Sequence, residues 1–253
     1  LFLSFVSDNA GTFINCDIAA EFAALVFIGV LAERMWWAIP ALLPMLIYPQ
    51  SRTAWAAIAG TALFWIWRKD KMVAICIAIL CACVAFMLYF TGFKSSGLHE
   101  RLGLWQDTIS GFTWFGHGIG SFSTAFPFYD NHLDTMLVHA DYAHSDVLQI
   151  IFELGVGAVF FFIFAALCLT GTDLTAKLIF VAFLFEMLGD FPLHVPMQPF
   201  IGAFVAGRLC QSSDSLQHLV GHGRRVLSIW LALWRSGDRR ERSPYGWAAV
   251  SLG

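Results

Sequence analysis

Long apolar blocks alternate with short polar breaks along most of this chain. The blocks fall near residues 18–32, 35–48, 53–67, 72–93, 147–169, 176–189 and 195–209. Crossing a bilayer takes about 20 apolar residues in a helix, so the pattern predicts an all-α, polytopic transmembrane bundle with about seven spans. Several blocks fall short of that length, which calls for tilt, local thinning or burial against neighbours. The polar breaks are Glu33-Arg34, Pro49 to Arg52, Arg68 to Lys71, a long segment over 94–146, Thr170 to Thr175, and Asp190 to His194. The predicted organisation is a membrane domain over 1–209, with 94–146 as its long loop carrying interfacial helices, and a basic tail over 210–253. No repeat recurs at a period of about 20–50 residues, which excludes a solenoid.

Composition sharpens the picture. Of 253 residues, 58% are hydrophobic and 13% charged, with 25 Phe and 10 Trp. A soluble domain carries about 25% charged residues. This profile excludes a disordered tail, a nucleic-acid binder with a basic footprint, and a secreted disulfide scaffold. The net charge of −3 names no partner. The six cysteines form no CxxC pair and mostly sit inside apolar blocks, so packed thiols are expected. The chain opens on Leu1 with no basic-then-apolar leader, and it is expected to be the C-terminal part of a longer protein.

Charge sets the orientation, because Lys and Arg favour the cytoplasmic side. Strict alternation of seven spans puts Arg34, Arg68, Lys69, Lys71, Lys177, Arg208, Arg224, Arg225, Arg235, Arg239, Arg240 and Arg242 on one side, 12 of the 15 basic residues. Arg52, Lys94 and Arg101 remain on the other. The 94–146 loop is therefore expected to face outward and the tail inward.

The outward face also collects His99, His117, His132, His139, His144 and His194. Its arginines run against the topological rule and ask for a reason. Arg52 and Arg101 either snorkel to headgroup phosphates or hold an anionic substrate through charge-assisted bonds worth about 1.5–3 kcal/mol each. Leu98, Leu102, Trp105 and Ile109 recur at helical spacing, which predicts an amphipathic interfacial helix with Arg101 on the edge of its stripe, placed to stack on the Trp105 indole. Gly116-His-Gly-Ile-Gly120 follows no strand, so it reads as a sharp turn or a close backbone approach rather than a nucleotide loop. Ser145 is the expected N-cap of the next span, with His144 at that helix's mouth. On a straight helix Glu153 lies about 180° from His144, and Gln149, four residues earlier, is its more natural partner. His139, Asp141, His144 and Asp146 could in principle ligate a divalent ion, but their spacing matches no HExxH or paired Cys/His pattern. No metal and no cofactor is expected.

Taken in order, these pieces are Gly11-Thr-Phe-Ile-Asn15, Ser51-Arg52, Arg101-Leu-Gly-Leu-Trp105, Gly116-His-Gly-Ile-Gly120, and Ala143-His144-Ser145 with Leu148-Gln149 and Glu153-Leu-Gly155. Together they resemble the O-antigen ligase / O-antigen polymerase superfamily of bacterial envelope glycosyltransferases. That family's pattern runs from a GTF-x-N helix start through SR, R-x-x-x-W and a GxGxG-like turn to an H-N/S-x-x-L-Q-x-x-x-E-x-G helix. Asp190-Phe-Pro-Leu-His194 resembles the family's last outward turn. His117 stands where that family's glycine-rich turn more often has an apolar residue.

The resemblance implies an inner-membrane enzyme with its active side in the periplasm. It would move a glycan from undecaprenyl diphosphate to an acceptor hydroxyl, most readily that of lipid A core. By motif position, Arg52 and Arg101 would hold the diphosphate and His144 would be the general base, with Trp105, Asn15 and Gln149 as substrate contacts. Metal-independent, inverting transfer is the implied chemistry, with membrane lipids as surroundings and no nucleic-acid partner. Two alternatives of the same class are a polysaccharide polymerase and a protein O-oligosaccharyltransferase. A small-anion, bicarbonate-like transporter is the alternative of another class.

Overall fold

The computed structural model describes residues 16–47, 51–90, 96–131, 140–195, 197–215 and 217–218. Asn15, Lys94, His132, His139 and most of the basic tail lie outside them. The described residues are helical, with no strand. In chain order the α-helices are α1 (Cys16–Ala32), α2 (Ile39–Ile47), α3 (Arg52–Lys69), α4 (Lys71–Phe90), α5 (Ser96–Ser110), α6 (Phe122–Ala125), α7 (Asp146–Leu154), α8 (Ala158–Cys168), α9 (Leu174–Gly189) and α10 (Gln198–Gln211).

The described part of each predicted apolar block is largely helical, and polar residues at the breaks start the helices for identifiable reasons. Ser51 Oγ accepts the Ala54 N–H at 3.3 Å and starts α3. Asp70 Oδ1 accepts the Met72 and Val73 N–H groups at 2.9 and 3.1 Å and starts α4. Asp173 Oδ1 accepts the Ala176 N–H at 3.0 Å and starts α9. These oxygens satisfy donors that have no partner inside the helix. One segment, Asp146–Cys168, is long and apolar enough to cross a membrane, whereas Trp36–Ile47 and Lys71–Ala82 are shorter apolar helices. The remaining blocks are helices without that combination of length and hydropathy among the described residues.

Helix α9 is the centre of the bundle. Its Leu178, Ala182, Phe183 and Met187 pack with Leu25 and Ile28 of α1 and Ala57 of α3. Lower down, Phe180 packs with Ala165, Cys168, Val205 and Leu209 of α8 and α10. Small residues let these helices approach closely, as they do inside a bilayer. Ala20, Ala23, Ala24 and Ala54 form the α1–α3 contact, and a Cβ on Gly60 would sit 2.5 Å from the Phe185 ring. The thiols divide: Cys168 is buried, 3.8 Å from Cys210. Cys76 and Cys81 are exposed on α4, so the expectation of packed thiols is not met there among the described residues.

The span expected over 147–169 is interrupted. A 3-10 turn at Gly155–Gly157 separates α7 from α8, and Gly155 has φ +55°. The cause lies in the turn that follows α5. Val156 N–H donates to Trp114 O at 3.0 Å, and a Cβ on Gly155 would fall 2.4 Å from that oxygen and 2.5 Å from Gly116 N. Two backbones meet here with no room for a side chain.

Gly155→Ala therefore combines a steric clash with a strained φ, and should lower stability by roughly 1–3 kcal/mol. Gly207→Ala, inside α10 where a Cβ meets nothing within 4 Å, should be neutral or stabilising by about 0.5–1 kcal/mol. Thermal unfolding in detergent checks the pair, and equal effects at the two positions would contradict the close-approach account.

Candidate active site

The start of α7 and the end of α9 are joined through one residue. Asp190, just past α9, accepts the Asp146 N–H on its backbone oxygen at 3.0 Å, and its own N–H donates to Glu186 O at 2.9 Å. The hydroxyl of Ser145 accepts from Leu148 N–H at 3.5 Å, the expected N-cap, and donates to Met187 O at 3.3 Å. His144 precedes this cap with φ +48°. That left-handed conformation is uncommon for a residue with a side chain, and its cost is held by the bonds on either side.

Three charged or titratable groups converge here. Arg101 on α5 donates from Nη1 to Gly189 O at 2.7 Å, and its Nη2 lies 3.8 Å from Asp190 Oδ2. His144 Nδ1 lies 3.6 Å from Asp190 Oδ1, with Asp190 itself only 9% exposed. That distance is beyond a hydrogen bond, so the contact is electrostatic. His144 Nδ1 is buried while the side chain as a whole is 41% exposed, which leaves the Nε2 edge of the ring outermost. Burial pushes the Asp190 carboxyl up, but His144, Glu21 and the Arg101 charge outweigh it and hold the group below its ordinary value. It is a carboxylate with a cation on one side and an imidazole on the other.

The remaining sequence-predicted residues take different places. Arg52 is exposed at the start of α3, and its charge acts on Asp17 of α1 together with those of Asp190 and Arg101. Trp105 donates its indole N–H to Ala143 O at 3.0 Å, which docks α5 beside His144. The Arg101 guanidinium turns to Gly189 and Asp190 rather than to the indole. Over 101–110 of α5 the buried positions are Leu104, Asp107 and Thr108, whereas Leu102 and Ile109 of the predicted stripe are exposed and the Leu98 side chain lies outside the described ones. Asp146 is committed elsewhere: Oδ2 accepts the Leu193 N–H at 2.7 Å, and Oδ1 lies 2.8 Å from His194 Nδ1. Among the described residues no group of three or more His, Cys, Asp or Glu side chains is arranged to hold a metal ion, and His139 lies outside them.

Gln149 is buried at the centre of a relay. Its Oε1 accepts the Ala143 N–H at 3.2 Å, and its Nε2 donates to Glu153 Oε1 at 3.0 Å and faces His194 Nε2 at 3.2 Å. The Gln149–Glu153 bond is the one expected from helical spacing. The other oxygen of Glu153 accepts the Gly120 N–H at 2.8 Å, so the glycine-rich turn is wired to the residue preceding His144. His117, whose ring stacks on Phe152 at 4.3 Å and bonds Gly111 O at 2.8 Å, packs the same turn. Sequence reasoning missed Asp190 and His194 as members of the site. The available signal was an acid and a histidine bracketing Phe-Pro-Leu immediately after an apolar block.

The Asp146 carboxylate bonded to Nδ1 holds His194 above its ordinary value of 6.5, against the opposing pull of burial. A raised folded-state pKa stabilises fully below the unfolded value and fades as pH rises through the folded one. The loss of thermal stability in His194→Gln should therefore be larger at pH ~5.5 than at pH ~9. A loss that grows with pH would contradict the Asp146 pairing.

No curated protein and no solved structure matches the chain. The family model described as O-antigen ligase matches residues 37–163, half of the sequence. The matched stretch holds Arg52, Arg101, Trp105, His144 and Gln149 and ends before Asp190 and His194. The chain belongs to the O-antigen ligase family, whose members act as membrane glycosyltransferases.

Proposed function

We propose that this protein transfers a glycan from undecaprenyl diphosphate to an acceptor hydroxyl on the outer face of the inner membrane, most readily to lipid A core. The observation that carries the reading is the convergence of Arg101, His144 and Asp190 where α7 and α9 end. The split of 12 inward to three outward basic residues supports a bundle of about seven spans with this site facing the periplasm.

The reaction needs little more than the groups at this point. The acceptor hydroxyl attacks the anomeric carbon and gives its proton to the exposed nitrogen of His144. The new C–O bond forms as the bond from that carbon to the phosphate oxygen breaks, and the electron pair leaves with the diphosphate. Displacement from the opposite face inverts the anomeric centre. Arg52 and Arg101 hold the diphosphate and stabilise the charge developing on it, a role a planar guanidinium fork performs without a metal. The bond to Gly189 O keeps the Arg101 fork pointed. Asp190 orients His144 and stabilises the imidazolium formed in the step, while Trp105 and Gln149 keep the Ala143 backbone in register beneath it.

Purified full-length protein given only a lipid-diphosphate glycan and a core acceptor should release undecaprenyl diphosphate, with no nucleotide sugar, ATP or ion gradient. His144→Ala should lower that rate by roughly 10²–10⁴-fold. Arg101→Lys should lose most activity, because a point charge does not replace the fork. Near-wild-type transfer by either variant at equal protein level would remove that residue from the site. A strict need for a divalent ion, seen as loss in EDTA, would overturn the two-arginine mechanism.

A further inference from the structure

The glycine-rich turn presents large apolar side chains that are mostly exposed among the described residues. Trp114, Phe115 and Ile119 are 70%, 93% and 85% exposed. Just past the Gly155 break, Val156, Val159, Phe160, Ile163 and Phe164 are exposed as well. Their spacing of three and four residues puts them on one face of the helix. The two sets adjoin. Val156 N–H donates to Trp114 O at 3.0 Å, and the Gly116–Gly155 approach leaves no space between the backbones.

We propose that the 114–119 turn and the outer face of α8 form one continuous surface that takes the acyl chains of the outer leaflet. The turn is thus an anchor that sets the height of the site above the lipid. This rests on the reading that Asp146–Cys168 crosses the bilayer. Two features select lipid over a protein partner. No Asp, Glu, Lys or Arg occurs between Asp107 and Asp130, or between Glu153 and Asp173, so the surface lacks the charged rim of a protein interface. Part of the backbone of the turn is also satisfied internally, which lowers the cost of setting it against lipid: the Gly116, His117 and Gly118 N–H groups donate to Thr113 O, Phe152 O and Glu153 O, and Gly120 N–H donates to the Glu153 carboxylate.

The anchor has a consequence for the site. Through Glu153 and Gln149 the turn is bonded to Ala143, next to His144. Fixing the turn in the acyl region holds the base level with the headgroups, where the diphosphate of a lipid-linked donor lies.

The test is lipid-depth quenching of the full chain in nanodiscs, with its own cysteines changed to alanine. A bimane is placed at Phe115→Cys or at Phe160→Cys, and phospholipids spin-labelled on the acyl chain serve as the probe. Both positions are exposed, so neither change disturbs packing. Quenching at both positions, with poor access of iodide from water to Phe115→Cys, is the expected result. Quenching at Phe160→Cys with free iodide access at Phe115→Cys would overturn the anchor and leave the membrane reading standing. Absence of lipid quenching at both positions would overturn the membrane reading and the anchor with it.

Discussion

Asp190 is the point through which the start of α7 and the end of α9 are held together. Its backbone oxygen fixes the start of α7, its N–H closes the last turn of α9, and its carboxylate lies between His144 and Arg101. A carboxylate nearly removed from water is costly unless cations or donors face it. Here the imidazole and the guanidinium do so, and the same contacts orient both. Structure and proposed chemistry therefore share one interaction. The group that would otherwise be an unpaired buried charge is the one that aligns the proposed base and the proposed anion-binding fork.

A second constraint runs from the loop toward the same place. Gly116 and Gly155 let the glycine-rich turn touch the end of α7 backbone to backbone, and Glu153 and Gln149 carry that contact to Ala143 by hydrogen bonds. Trp105 reaches Ala143 from the other side. His144 thus follows a residue whose N–H and carbonyl are both held by side chains. Its left-handed φ persists because the neighbouring residues over-determine it. A general base on a freely moving loop would spend most of its time out of reach of the acceptor.

Much of this was legible in the residues. Apolar runs and polar breaks place the helices, and Ser51, Ser145 and Asp173 cap where such residues should. The Gln149–Glu153 bond follows from a spacing of four. What the chain order hides is contact between distant segments. Arg101 reads as a residue at the lipid edge because its partner, Gly189, lies 88 positions away. Asp190 reads as a turn residue because nothing local shows that two distant helices deliver a histidine and an arginine to it. On α5 the described buried face holds Leu104, Asp107 and Thr108 rather than the apolar stripe, and the polarity of the last two conceals it. A straight-helix reading of α7 also could not foresee the break at Gly155, because the backbone that forces it comes from the loop 40 residues earlier.

The central claim is that Asp190 and His144 act as one unit in glycan transfer. A double-mutant cycle on the release of undecaprenyl diphosphate by purified protein tests it directly, using His144→Ala, Asp190→Asn and the two together. Residues that act as a unit are strongly non-additive. The account predicts that Asp190→Asn alone slows release and that the double variant is no slower than His144→Ala. Losses that multiply, with the double variant slower than either alone by the full product, would show that the two residues act independently and would contradict it.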